Sequence, residues 1–212
     1  MDMDPTKMTL TAFADELASD SPAPGGGSVS ALTGSLGAAL TAMVAGLTVN
    51  KKKFEDRRET VGTVMTDALQ LKEELLTAVD RDTEAFNIVS AAFSLPKSTE
   101  EEKAIRSNAI QQGLLACIES PLTIMELCRQ ALRLAETLSQ GFNASAASDL
   151  GVSVLMLKGA LQGAWLNVKI NLGGLKDREA SAAYEEKGEK ILAECLPLAD
   201  ALYRKVEAMV QQ

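Results

Sequence analysis

From Val29 to Val49 the chain runs 21 residues without a charge. A helix of that length can span a bilayer. The stretch also holds Ser30, Thr33, Ser35, Thr41 and Thr48, three glycines, and no aromatic belt at either end, which a membrane span would usually carry. Its small residues fall in register: Ala31, Ser35, Ala38, Ala42 and Ala45 step by four, three, four and three. Such spacing lines one narrow helix face, along which another helix approaches closely. The expectation is a buried helix of a soluble protein, with no membrane partner.

The rest of the sequence supplies helices to bury it. Leu10–Leu17 is amphipathic, with Thr9 placed as its N-cap. Residues 21–27, Ser-Pro-Ala-Pro-Gly-Gly-Gly, break the pattern, and Ser28 opens the alanine-rich helix. Lys51, Lys52 and Lys53 separate that helix from a long one over about Phe54 to Phe93. Residues 94–98 form a loop, and Thr99 with Glu102 reads as a capping box. Pro121 punctuates the next helix, and a further one continues to about Gln140. The turn Gly141-Phe142-Asn143 precedes a helix from about Ala144 to Leu172, which Gly173-Gly174 ends. The last runs from about Asp177 to Val210, with Pro197 kinking or splitting it. No segment alternates apolar and polar residues as a half-buried strand does. The sequence therefore predicts an all-α fold: one domain over residues 1–212, a bundle of long helices. The small-residue seam and the glycine-bearing helices further predict a homodimer formed by close helix packing.

Composition closes off several chemistries. A net charge of −8 and a pI near 4.7 argue against nucleic acid as a partner, since that needs a basic face. No histidine occurs, so serine–histidine triads, imidazole-bearing zinc sites and imidazole acid–base catalysis are excluded. Proton transfer falls to carboxylates, lysine, tyrosine or cysteine. Cys117, Cys128 and Cys195 form no CxxC pair and read as buried reduced thiols of a cytosolic protein. The acidic start Met1-Asp2-Met3-Asp4-Pro5 is unlike a secretory signal, so the expected location is cytoplasmic. No soft-metal site is apparent, and no metal is expected.

One helix carries an anomaly. Stepping by threes and fours gives Val64, Ala68, Leu71, Leu75, Ala78, Asp82, Phe86, Val89 and Phe93, apolar except for Asp82. Asp80 lies off the stripe. A buried carboxylate is costly unless neutralised, paired or solvated, and its pKa tends upward, which suits a general acid near neutral pH. A structural carboxylate satisfied by a lysine or by backbone amides fits the pattern equally. The helix at Ala144–Leu172 has a comparable stripe through Asp149, Ser153, Met156, Ala160, Gly163, Asn167 and Asn171. Its asparagines suit a ligand pocket, because amides both donate and accept, or an interhelical polar network. Gly159 and Gly163 suit close packing. Gly25, Gly26, Gly27 and Ser28 lack a GK[ST] ending, but they leave amides at a helix N-terminus that can hold a carboxylate or a polar heterocycle. The three lysines form a solvated turn or dock an anionic tail.

Five segments occur together in order: residues 21–28, residues 79–86 (Val-Asp-Arg-Asp-Thr-Glu-Ala-Phe), residues 95–103 (Leu-Pro-Lys-Ser-Thr-Glu-Glu-Glu-Lys), Ser148-Asp149-Leu150, and residues 167–172 (Asn-Val-Lys-Ile-Asn-Leu). With them the chain resembles the cyclodeaminase/cyclohydrolase family of folate enzymes, from about Leu10 to beyond Asp177. The resemblance implies an all-helical dimer. It implies catalysis by the second acid of the DxD motif, here Asp82, and a folate site lined by Gly25, Gly26, Gly27 and Ser28, with Asp149, Asn167 and Asn171 as polar candidates. Arg106 matches a family arginine without assigned role. Phe142 departs from the family's usual glycine and implies a reshaped pocket mouth.

The expected activity is formiminotetrahydrofolate cyclodeamination: N10 attacks the formimino carbon, and ammonia leaves to give 5,10-methenyltetrahydrofolate. Asp82 relays the proton, and Lys51, Lys52 and Lys53 attract the glutamate tail. Such an enzyme belongs to histidine degradation and works beside a separately encoded formiminotransferase. No cofactor beyond the tetrahydrofolate substrate is implied. The alternatives are methenyltetrahydrofolate cyclohydrolase, in which the same carboxylate activates water, and a non-catalytic helical interaction module.

Overall fold

A computed structural model describes residues 4–210. The first three residues of the acidic start, and Gln211 and Gln212 at the end of the expected domain, lie outside the described residues. Six α-helices occur in it: α1 (Leu10–Leu17), α2 (Gly26–Val49), α3 (Arg58–Phe93), α4 (Glu100–Leu138), α5 (Ala147–Leu172) and α6 (Arg178–Val210), with no strand among the described residues. The caps follow the sequence. Thr9 accepts from the Ala12 amide, and Thr99 and Glu102 form a reciprocal capping box.

α2, α3, α4 and α5 pack in a ring, each against its chain neighbours, with α2 closing onto α5, while α6 lies across α5 and α4. Paired contacts such as Ser35 with Lys72, Cys117 with Ala85, and Asn171 with Cys117 make successive helices antiparallel. The ring is thus an up-down-up-down four-helix bundle. One contiguous core runs through it, rich in alanine and leucine as few aromatics require.

The seam on α2 is buried, with Ala31, Ala38 and Ala45 at 0% exposure. It is consumed within one chain, against α3 and α5. This corrects the expectation that the seam forms a dimer contact: the face α2 leaves bare carries Leu36, Met43 and Leu47 instead. Close packing at Gly163 is real, since a Cβ there would lie 2.5 Å from Ser30 Oγ, whereas Gly159 faces open space. α2 and the stretch holding α5 are long and apolar enough to cross a membrane by length and composition, and half of each window is buried inside the bundle.

Three boundaries differ from expectation. Residues 52–57 form a 3-10 turn broken at Phe54, so α3 starts at Arg58. Arg57 turns away to donate to the Thr137 and Gly141 carbonyls at the end of α4. Pro121 does not divide α4, which runs 39 residues through it. A proline removes the N–H that would bond the carbonyl four residues back, here that of Cys117. The Asn171 side-chain amide donates to that carbonyl at 3.3 Å instead, and the ladder is patched from the neighbouring helix. Pro197, on an exposed face, likewise sits within a continuous α6.

Candidate active site

The apolar stripe of α3 is core as far as Ala78, and past that point only Val89 of its members is still buried. Beyond Ala78, Asp82, Phe86 and Phe93 line a cavity of about 360 Å³, walled also by the N-terminus of α2, the middle of α4 and the end of α5. Asp82 is half-buried. Its Oδ2 accepts from Ser28 Oγ at 2.9 Å, and Ser28, fully buried, also lies 3.3 Å from Thr83 Oγ1. Burial pushes the Asp82 carboxyl above its ordinary range; the Ser28 hydrogen bond pulls the other way and is outweighed. No cation pairs with it among the described residues, so of the structural alternative the lysine is absent, whereas a backbone contact from Ser28 is present.

Local sequence explains how Asp82 comes so close to α2. A Cβ on Gly27 would stand 2.1 Å from Asp82 Oδ1, so glycine alone lets the carboxyl seat against the start of the helix. Gly26 faces Asn167, with a virtual Cβ 3.3 Å from its amide nitrogen. The first amides of α2 have no acceptor within the helix, which leaves donors at this wall. Asn167 Nδ2 donates to the Gly163 carbonyl at 2.9 Å, and Asn171 Nδ2 donates to the Asn167 carbonyl at 2.8 Å as well as to Cys117. The two asparagines therefore serve both open alternatives: they bind within and between helices, and they line the cavity.

Cys117 also lines the cavity, which the sequence did not suggest. Burial, and after it the charge of Asp82, pushes its thiol up to about 11, and it donates to the Ala85 carbonyl. It is a neutral wall, not a nucleophile. The flat apolar walls, Phe86, Phe93, Leu114 and Ile170, were also missed as site residues. The available signal was two aromatics continuing a stripe beyond its one charge, in a chain only 4% aromatic.

Three expectations are corrected. Lys51, Lys52 and Lys53 sit beyond the C-terminus of α2, whose 24 residues put about 36 Å between them and Gly25. Asp149 lies in the first turn of α5, about 27 Å of helix away from Asn167. Neither group lines this cavity. Phe142 does not shape its mouth either: it is 5% exposed within the core, at the far end, where Asn143 N bonds Thr48 Oγ1. Asp80 accepts from Thr6 N and Oγ1 and anchors the N-terminal turn. Among the described residues no three histidine, cysteine or carboxylate side chains converge as metal ligands would.

Fold and cavity together place one carboxyl, shielded and without a cation partner among the described residues, in a slot of a histidine-free helical bundle. The chain belongs to the formiminotransferase-cyclodeaminase family of folate enzymes, whose family model, described as Formiminotransferase-cyclodeaminase, matches residues 9–190. It is 38% identical over 202 residues to a methenyltetrahydrofolate cyclohydrolase of Methylorubrum extorquens, covering 95% of this chain and 97% of that protein. It is 37% identical to a formimidoyltransferase-cyclodeaminase of Gallus gallus over 87% of this chain, which spans 34% of that longer protein. A solved formiminotetrahydrofolate cyclodeaminase of Thermotoga maritima superposes with a TM-score of 0.79 at 26% identity, covering 97% of this chain and 96% of that one. The alternative of a non-catalytic module falls with this membership.

Proposed function

We propose that the chain is a methenyltetrahydrofolate cyclohydrolase with Asp82 as its catalytic carboxylate. The carrying observation is the likeness along the whole length of the Methylorubrum cyclohydrolase, combined with one shielded carboxyl in a ring-sized slot. Water adds to the methenyl carbon between N5 and N10, and Asp82 takes its proton. The carbon–N5 bond then breaks as the adduct's hydroxyl loses its remaining proton to solvent and becomes the formyl carbonyl, N5 receives the proton held by Asp82, and 10-formyltetrahydrofolate leaves. A carboxyl whose proton affinity is raised by burial makes a stronger base than a free one, and it returns the proton readily. Gly25, Gly26, Gly27 and Ser28 present backbone and hydroxyl donors to the pterin, Asn167 and Asn171 present amides, and the aromatic walls sandwich its ring. No metal or further cofactor enters this scheme.

The second reading, formiminotetrahydrofolate cyclodeamination, is favoured by the Thermotoga structure. There Asp82 acts as an acid, giving its proton to the departing ammonia while N10 closes on the formimino carbon. That reading alone calls for a separate formiminotransferase and a place in histidine degradation.

One experiment separates the two. Purified protein assayed with both folates is expected to turn over the methenyl substrate, with kcat/KM falling as pH drops through the raised pKa of Asp82, because the base form is needed. Turnover of the formimino substrate alone, with activity falling as pH rises through that pKa, overturns the hydrolase reading in favour of the deaminase.

As assembly we propose a homodimer of this one domain, residues 1–212, located in the cytoplasm and without membrane or nucleic-acid partners. The support is an apolar face that the bundle leaves bare, Leu36, Met43 and Leu47 on α2 beside Val152, Leu155 and Leu166 on α5. Large exposed apolar side chains of this kind are what an interface covers.

A further inference from the structure

Asp82 is one end of a longer hydrogen-bonded group. Ser28 Oγ lies 2.9 Å from Asp82 Oδ2, and Thr83 Oγ1 lies 3.3 Å from Ser28 Oγ. Thr83 Oγ1 in turn lies 3.3 Å from the Val79 carbonyl, one turn back along α3. Four oxygens thus connect the carboxyl to the core. Ser28 is 0% exposed and Thr83 7%, so bulk water does not compete for these bonds. Part of the arrangement is local, since a helical threonine commonly bonds the carbonyl four residues back. The other part is tertiary. Gly27 lets the start of α2 press onto α3, which sets Ser28 against Asp82 and its chain neighbour Thr83, a junction that neither helix makes alone.

The chain is fixed at one end and reversible in the middle. The Val79 carbonyl can only accept, whereas each hydroxyl carries one proton and both donates and accepts. With Asp82 ionised, Ser28 donates to Oδ2, and Thr83 donates to Val79 or to Ser28. With Asp82 protonated on Oδ2, the carboxyl becomes a donor to Ser28, which must turn its own proton elsewhere. Thr83 Oγ1 is the acceptor within reach, and Thr83 sends its proton to Val79. Rotation of the hydroxyls therefore satisfies both charge states of Asp82 with no heavy atom moving. Without the Thr83 hydroxyl, the protonated state would leave the Ser28 proton buried and unpaired, which is costly.

We infer that Thr83 is a positioning residue for the proposed reaction: acting through Ser28, its hydroxyl stabilises the protonated form of Asp82, so that the carboxyl can take and return one proton within a turnover. The inference rests on the reading of Asp82 as the acid–base group of this site. Among the described residues no cation or second carboxylate lines the cavity to set this balance instead. Of the elements packed around Asp82, α2 and residues 22–25 bring no titratable side chain to the cavity. α5 brings the neutral amides of Asn167 and Asn171, and α4 brings the Cys117 thiol, neutral because burial raises its pKa to about 11. On α3 itself Arg81 and Glu84 are exposed, and Asp80 faces Thr6, beside the paired Asp4 and Lys7.

The test compares wild type with Thr83→Val, which keeps the shape and loses the hydroxyl, Thr83→Ser, which keeps the hydroxyl, and Ser28→Ala. The acid limb of kcat/KM against pH, with 5,10-methenyltetrahydrofolate, reads the ionisation of Asp82 in the free enzyme. Thr83→Val is expected to move that limb down by about one pH unit, because it penalises the protonated form alone. Ser28→Ala is expected to move it up by about one pH unit, because it removes a donor to the ionised form. Thr83→Ser should restore the wild-type position. A threonine with only a structural role would lower the melting temperature of Thr83→Val and leave the limb in place. That result, or a limb that moves up as in Ser28→Ala, overturns the inference. Carbon-13 NMR titration of the Asp82 carboxyl, assigned by the signal lost in Asp82→Asn, reads the same shifts without turnover. If the methenyl substrate is not turned over, the hydrolase reading falls and the NMR titration decides the inference: opposed shifts in Thr83→Val and Ser28→Ala support it, and an unmoved Thr83→Val titration overturns it.

Discussion

The two ends of the α2–α5 pair are built from the same helices and do opposite things. At one end Gly26 and Gly27 let α2 crowd Asp82 and Asn167, and the core stripe of α3 opens into a cavity. At the other end Phe142 plugs the bundle, Thr48 holds the incoming Asn143 amide, and Arg57 covers the last carbonyls of α4. Where side chains are removed to glycine the bundle opens around a carboxyl; where an aromatic is added it closes. The contrast teaches that stability and chemistry are separated along one helix pair, and that substitutions at each end report different quantities.

The largest effect belongs to the open end. Asp82→Asn is expected to lower kcat by about 10²–10⁴-fold, the usual contribution of a positioned acid or base. It should also raise the melting temperature at neutral pH. The folded protein holds the Asp82 proton at pH values where the unfolded chain has released it, so stability falls as pH rises from the unfolded carboxyl value towards the raised folded one. Asparagine removes that loss, and the gain should vanish below about pH 4, where both states are protonated. Melting curves at pH 7 and pH 3.5 beside steady-state rates check both parts; a variant that keeps its turnover and melts lower would make Asp82 structural.

At the closed end Phe142→Ala should reverse the pattern, costing about 3–5 kcal/mol of stability with kcat of the folded protein unaltered, as denaturant titration and rates at low temperature would show. A kcat loss there would mean that the two ends are mechanically coupled. The smallest effect is expected at Asp80→Asn, two residues from Asp82. It weakens the hold on the Thr6 turn by about 0.5–1.5 kcal/mol and moves turnover by less than about twofold.

Helix type and most helix ends were legible because period and caps are local: Thr9, Thr99 with Glu102, and Gly173-Gly174 mark ends without reference to anything distant. Asp82 was legible because a charge in an apolar stripe is an anomaly visible in one dimension. Position along a helix was not. Asp149 sits on the same helix as Asn167 and Asn171, and Lys51, Lys52 and Lys53 directly follow the helix that Gly26 and Gly27 open, yet only the helix lengths and the antiparallel packing reveal that they occupy the remote end. Pro121 misled for a related reason, since the donor that mends α4 comes from Asn171, 50 residues later in the chain. The fate of the α2 seam was equally hidden: small residues announce a close neighbour but not whose chain it belongs to.

The repair of α4 fixes the polarity of recognition. Both amide hydrogens of Asn171 are committed, one to the Cys117 carbonyl that Pro121 orphans and one to the Asn167 carbonyl. Its oxygen is then the atom left to meet a ligand, and it can only accept. This wall of the slot therefore favours a ring edge that presents N–H groups and rejects one that presents bare lone pairs, a preference set by a proline that itself never reaches the cavity.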